Sequence, residues 1–217
     1  MAATLFVEAP DPLGIAMLLL FGLTLPWTTI GFWNAVIGFA LMSFSRDPAG
    51  KVAPHLHSIK GDEPITTPTA LLICIRNEDP ERLARNLGLM LDGLVVTGEA
   101  RWFHLYMLSD SNRADIITAE EQLAGLLAAR YGTALQVTYR RRDLSSGFKA
   151  GNIRDFCERW GARHPLAIVL DADSVMSPAA MLRLVRIMQA QPRIGILQTL
   201  VTGLPSASPF ARIFQFG

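Results

Sequence analysis

Residues 167–176 read Ala167-Ile168-Val169-Leu170-Asp171-Ala172-Asp173-Ser174-Val175-Met176, and the reading of this decapeptide decides the fold. An apolar, partly β-branched run breaks off at two carboxylates one residue apart, as a buried strand does where it leaves a sheet. Open α/β sheets bind ligands outside the carboxyl ends of their strands, so a strand ending at Asp171 delivers its acids to that edge. On an extended continuation Asp171 and Asp173 point the same way and converge on one centre. Two such charges repel, and a hard divalent cation that itself holds a phosphate offsets them. Taken alone, the stretch is more often a strand followed by a polar turn, where Asp is common. Its surroundings decide otherwise.

Working outward, strand and helix patterns alternate. Residues 69–75 form an apolar run fit for a buried parallel strand. Asp79-Pro80 is a helix cap followed by its first-turn proline, and Leu83, Leu87, Met90, Leu91 and Leu94 then recur at helical spacing. A second strand over 102–108 ends in Ser109-Asp110. A helix over 118–131 carries Leu123, Leu126 and Leu127 on one face, and residues 135–139 make a third strand. A helix over 152–160 turns Ile153, Phe156, Cys157 and Trp160 inward and stops at Gly161. The fourth strand is 166–170, Ser177-Pro178 caps a helix to 188, and a fifth strand spans 194–198. This alternation predicts an α/β fold: a mostly parallel sheet, right-handed crossovers and helices on both faces. No internal repeat or low-complexity tract interrupts it.

The N-terminal part is of another kind. Half of the 217 residues are hydrophobic and mean hydropathy is +0.29, and the excess sits between residues 13 and 44, where no side chain is charged. That run exceeds the ~20 residues that span a bilayer and is too short for two spans with a turn. It reads as one transmembrane helix, kinked at Pro26, with Trp27 and Trp33 as interfacial or packing groups. Glu8 and Asp11 precede it, and Arg46, Lys51 and Lys60 follow. The absence of a basic leader argues against a cleaved signal, and the charge bias puts the N-terminus outside and the rest in the cytoplasm. Prolines and glycines over 46–68 predict a linker without periodic structure. The expected organisation is therefore 1–45 as N-terminal segment and membrane helix, 46–68 as linker, and 69–217 as the α/β domain.

A net charge of +1 rules out a strongly electrostatic reading, so bulk charge predicts neither nucleic acid nor an acidic partner. Cys74 and Cys157 fall in a strand and a helix and read as reduced core thiols. The four histidines share no zinc-ligand spacing with them.

Three loops at carboxyl strand ends carry polar groups: Arg76-Asn77-Glu78-Asp79, Asp110-Ser111-Asn112 and Asp171-Ala172-Asp173. Polar groups on the same edge of three strands build one site. No glycine lies between Arg76 and Leu87, which excludes a dinucleotide-binding turn there. The stretch Arg140-Arg141-Arg142-Asp143-Leu144-Ser145-Ser146-Gly147-Phe148-Lys149-Ala150-Gly151-Asn152 puts glycines and a lysine before a helix N-terminus, which suits a phosphate-bearing ligand. Lys149 adds a point charge and Asn152 a directional hydrogen bond. The spacing is not that of a Walker P-loop. The three arginines themselves read as a solvated basic patch facing anionic lipid headgroups.

The strand into Asn77-Glu78, the strand ending in Ser109-Asp110, Lys149-Ala150-Gly151-Asn152 and Asp171-Ala172-Asp173 together resemble the inverting family 2 glycosyltransferases of the GT-A fold. Leu108-Ser109-Asp110-Ser111, Tyr139-Arg140-Arg141-Arg142, the Gly151 to Cys157 stretch and the opening decapeptide resemble, more narrowly, the inner-membrane synthases of osmoregulated periplasmic glucans. The resemblance implies UDP-glucose as donor, a growing β-glucan as acceptor and product, and Mg²⁺ or Mn²⁺ as cofactor. It implies that Asn77, Glu78, Asp110, Lys149, Gly151, Asn152 and Asp171 bind the donor, and that Asp173, with Asp171, holds the metal. It further implies a bacterial inner-membrane location, with lipid around the helix. Two departures stand out: Cys74 where the family often has proline, and the absence of an acidic catalytic base and an arginine–tryptophan acceptor motif, both expected beyond Gly217. The expectation is thus a donor-binding part that does not transfer sugar alone. Two rival classes share the motifs. One is a haloacid-dehalogenase-type phosphatase, with Asp171 as nucleophile and Asp173 as acid/base. The other is a non-catalytic membrane regulator that binds a UDP-sugar.

Overall fold

The computed structural model describes residues 11–199 and 208. The chain divides into two compact units between Leu56 and His57.

In the first unit, helix α1 (Pro12–Phe44) is a single helix through Pro26. Asp11 caps it, its carboxylate accepting from the Gly14 amide at 2.6 Å, with Pro12 at the first position where a missing N–H costs nothing. Apolar side chains stand exposed all round it, Trp27 and Phe44 at 83 % each. Length and composition suffice to cross a membrane. Residues after it are more ordered than the expected linker: α2 (Pro48–Val52) is capped by Asp47, and a 3₁₀ turn follows at Pro54–Ser58. Proline here starts short helices instead of forbidding them.

The second unit is built on four parallel strands: β1 (Thr69–Ile75), β2 (Phe103–Ser109), β3 (Gln136–Arg141) and β4 (Leu166–Asp171), in the order β3-β2-β1-β4. Helices α3 (Pro80–Val96), α4 (Ala114–Tyr131), α5 (Phe148–Trp160) and α6 (Pro178–Ala190) connect and follow them. The period-2 pleat sorts the strand residues between two cores. Leu71, Ile73, Ile75, Phe103, Leu105, Met107, Ile168 and Leu170 pack with α3, α4 and α6. Ala70, Leu72, Tyr106 and Leu108 face the other way, onto Phe156, Ile153 and Trp160 of α5. Helices therefore cover both faces. The chain steps outward from β1 through β3, then returns along α5 to place β4 on the other side of β1. Between the carboxyl ends of β1 and β4 lies the point where strand order reverses.

Several expectations are corrected. Residues 194–198 are not a strand; they pair with none of the described strands, and Ile196 is 90 % exposed. This segment lines a groove beside β4 instead of joining its free edge. The domain begins before residue 69, because Arg186 and Gln189 of α6 hydrogen-bond the backbone of Glu63, Pro64, Thr66 and Thr67, and Ile65 is buried. Leu126 is exposed, and so is Cys157. Finally α5 starts at Phe148, four residues earlier than its apolar periodicity, which only registers where the helix meets the sheet.

Candidate functional site

The loop after β1 is tied to the loop after β2. Asn77 takes a left-handed backbone (φ 53), which asparagine tolerates better than most residues. Its amide N–H donates to Ser111 Oγ at 2.7 Å, its side chain donates to Asn112 Oδ1 at 2.9 Å, and its Oδ1 accepts from the Asn112 and Arg113 amides. Ser111 in turn donates to Glu120 Oε1 at 2.6 Å, and Tyr139 donates to Glu120 Oε2 at 2.9 Å. Glu120 is only 1 % exposed, so this carboxyl of α4 anchors the loop from beneath. Burial, with the Glu120 bond and charge behind it, pushes the Tyr139 phenol up to about 12. Glu78 turns aside to Arg82 on α3 at 2.8 Å, and Asp79 caps α3 through the Glu81 and Arg82 amides.

The arginine run is not a solvated patch. On an extended strand, positions i and i+2 share a face. Arg140 and Arg142 both turn inward, toward α5, while Arg141 pairs with exposed Asp143. Arg142 meets Asp110 in a buried bidentate pair, Nε to Oδ1 at 2.7 Å and Nη2 to Oδ2 at 2.6 Å. Both oxygens of Asp110 are thus engaged by a guanidinium. Arg140 bonds the Asn152 carbonyl and lies 3.1 Å from Asp155. Asn152, 1 % exposed, donates to the Leu108 carbonyl at 2.9 Å, which fixes α5 onto β2. Its Oδ1 is buried without a hydrogen-bond partner. Gly151 is needed for close approach: a Cβ there would lie 2.0 Å from the Ser146 carbonyl oxygen.

Lys149, in the first turn of α5, reaches across to Asp171 at the end of β4, Nζ to Oδ1 at 2.5 Å. The lysine–glycine turn and the acidic motif therefore face each other. After Asp171 the chain does not stay extended: the Ser174 amide bonds the Asp171 carbonyl at 3.0 Å, closing a tight turn. Asp173 still lines the same groove as Asp171, a space of about 1160 Å³ along β4. The exposed Phe148 ring lies 5.7 Å from the guanidinium of Arg76, in the loop after β1. Half-buried Cys74 pairs in register with Asp171, and burial pushes its thiol up, which suits an inert side chain.

Among the described residues no three His, Cys, Asp or Glu side chains cluster as a complete metal cage. Two carboxylates on one groove are the donor set that Mg²⁺ or Mn²⁺ takes from protein when phosphates and water complete the shell. Asp171 and Asp173 are the candidate residues for such an ion.

Residues 67–208 match the family model described as glycosyltransferase like family 2. The chain belongs to this family. Curated relatives extend the match beyond the domain. It is 39 % identical over 209 residues to the glucans biosynthesis glucosyltransferase H of Escherichia coli K12, covering 95 % of this chain and 24 % of the relative. The Dickeya dadantii protein of that name is 38 % identical over 215 residues, covering 98 % and 25 %, and that of Salmonella typhi 39 % over 209 residues, covering 95 % and 24 %. The chain spans about a quarter of the length of these relatives.

Within this family 2 domain, sequence reasoning missed three residues of the site. Glu120 carries a signal that the helix reading over 118–131 does not use: one acid on the face of the buried Leu123 and Leu127. Arg140 and Arg142 were legible only by carrying the strand alternation past Tyr139 into the charged run.

Proposed function

We propose that this domain binds the donor for an inverting, UDP-glucose-dependent transferase that builds the β-glucan backbone of osmoregulated periplasmic glucans. The observation that carries it is the contact between Lys149 and Asp171 at the strand-order reversal, with Asp173 on the same groove. As the bond between glucose and diphosphate breaks, negative charge builds on the departing UDP. Lys149, on a helix N-terminus, is placed to neutralise it. Asp171 and Asp173 would hold Mg²⁺ or Mn²⁺, which stabilises the same leaving charge. Lys149 holds Asp171; a diphosphate offers the lysine an alternative partner.

Asn77 sets the wall of the nucleotide side through its bonds to the second loop, and Asn152 and Gly151 seat α5 against β2. Asp110 acts through Arg142, and Glu78 stands at the rim. The glucan acceptor and the catalytic base belong, in this reading, to the part of the relatives that lies outside the matched stretch. In this reading α1 lies in the bacterial inner membrane, N-terminus periplasmic and the domain cytoplasmic; its length and apolar composition and the charge bias around it support that orientation.

Calorimetric titration of the detergent-solubilised chain with UDP, with and without Mg²⁺, tests the donor site. Binding is expected to require the ion, and Asp173→Asn to remove that requirement together with about tenfold or more of the affinity. Tight binding that ignores Mg²⁺ contradicts the site. A phosphatase activity lost in Asp171→Asn would instead make Asp171 a nucleophile.

A further inference from the structure

We infer that Arg142 is a positioning residue for the donor diphosphate, acting through Lys149; the inference rests on the donor-site reading above. Its side chain uses four donor contacts. Two go to Asp110, and the others go to the carbonyl oxygens of Ser146 and Phe148, each at 3.1 Å. Its backbone N–H donates to the Ser109 carbonyl at 3.0 Å, so the end of β2 and the entry to α5 are held by one residue. The side chains of Arg142 and Asp110 are 10 % and 5 % exposed, which limits competition from solvent for their pair, while the two carbonyl bonds lie at the surface.

What Arg142 holds is a tight turn, whose own backbone bonds run from the Phe148 amide to the Ser145 carbonyl at 3.2 Å and from the Gly151 amide to the Gly147 carbonyl at 2.8 Å. Gly147 and Phe148 are consecutive left-handed residues, φ 72 and φ 49. For phenylalanine that region is uncommon and costs energy unless the surroundings over-determine it. The turn has no side-chain cap at the α5 N-terminus. It folds back so tightly that a Cβ on Gly151 would overlap the Ser146 carbonyl. Lys149 follows Phe148 directly, so the carbonyl that Arg142 grips sets the direction in which Lys149 leaves the helix. A guanidinium fork satisfies two carboxylate oxygens and two carbonyls at once, and a lysine in its place does not.

A merely structural Arg142 and one that aims Lys149 differ in a double-mutant cycle. The full 217-residue chain is titrated with UDP and Mg²⁺ as wild type, Arg142→Gln, Lys149→Met and the double variant, with thermal unfolding alongside. Arg142→Gln is expected to lose about tenfold in UDP affinity, and to lose no more than about twofold further when Lys149 is already Met. Arg142→Lys is not expected to restore binding. Because Arg142→Gln leaves the Asp110 carboxylate buried and unpaired, Asp110→Asn with Arg142→Gln supplies a neutral pair; it is expected to fold and to show the same loss. Undiminished UDP affinity in that folded pair, or equal losses from Arg142→Gln in both lysine backgrounds, overturns the inference while the donor site stands. A wild-type chain that does not bind UDP overturns both together.

Discussion

A methyl group on Gly151 has no room: it would sit 2.0 Å from the Ser146 carbonyl oxygen, 3.0 Å from its carbon and 3.2 Å from Arg142 Nη1. Backbone, not a flexible side-chain end, is what must yield. Gly151→Ala is therefore expected to destabilise the domain by about 1–3 kcal/mol, read from urea unfolding midpoints. Wild-type stability in that variant would mean that the turn does not fold onto α5. At this scale the acidic motif and Lys149 were legible, because a strand breaking off in carboxylates and a glycine–lysine helix start are local signals. The burial of Arg142 was not, because its partner Asp110 lies 32 positions away, just past the end of another strand. Nothing near the arginines announces a carboxylate waiting inside.

Among the elements, β2 and α5 enclose a second polar cluster on the face away from α3 and α4. His104 stacks on Tyr106 at 4.0 Å and bonds Thr138, while Tyr106 bonds His164 Nε2 at 2.9 Å. Burial first, then the neighbouring His164 and Arg163, pulls His104 down from 6.5 to about 4. The folded state therefore keeps His104 neutral where the unfolded chain takes up a proton. Stability is full above about pH 6.5 and falls as pH drops toward 4, by about 2 kcal/mol for this group after allowance for its partial exposure. His104→Gln is expected to flatten that part of the pH–stability curve relative to wild type. Parallel curves from pH 7 to pH 4.5 would contradict it.

The element order itself was readable because buried parallel strands and amphipathic helices carry opposite periods. The supposed fifth strand failed for a reason outside its own residues: a strand exists only where another offers a ladder. The early start of α5 was hidden because Phe148 and Lys149 face the crevice, and no apolar repeat marks them.

For the whole molecule, a domain with two well-packed cores is joined to a helix whose large apolar side chains stand mostly exposed among the described residues. Such a helix is stable in lipid, and the intact chain is expected to float with phosphatidylglycerol-containing vesicles after an alkaline wash. A chain that stays dispersed without detergent or vesicles would contradict the membrane reading. The family was legible from four motifs in the second unit.

The central claim is that one edge of the sheet, where β1 and β4 end, receives a nucleotide diphosphate and its cation. Paramagnetic broadening of backbone amide signals by Mn²⁺, recorded on the isotope-labelled chain with and without UDP, tests it most directly. UDP-dependent broadening is expected at residues 76–79, 147–152 and 171–174. Broadening that ignores UDP, or that centres on the cavity of about 330 Å³ lined by Arg101, His104, Gln136 and His164 at the opposite edge, would contradict it.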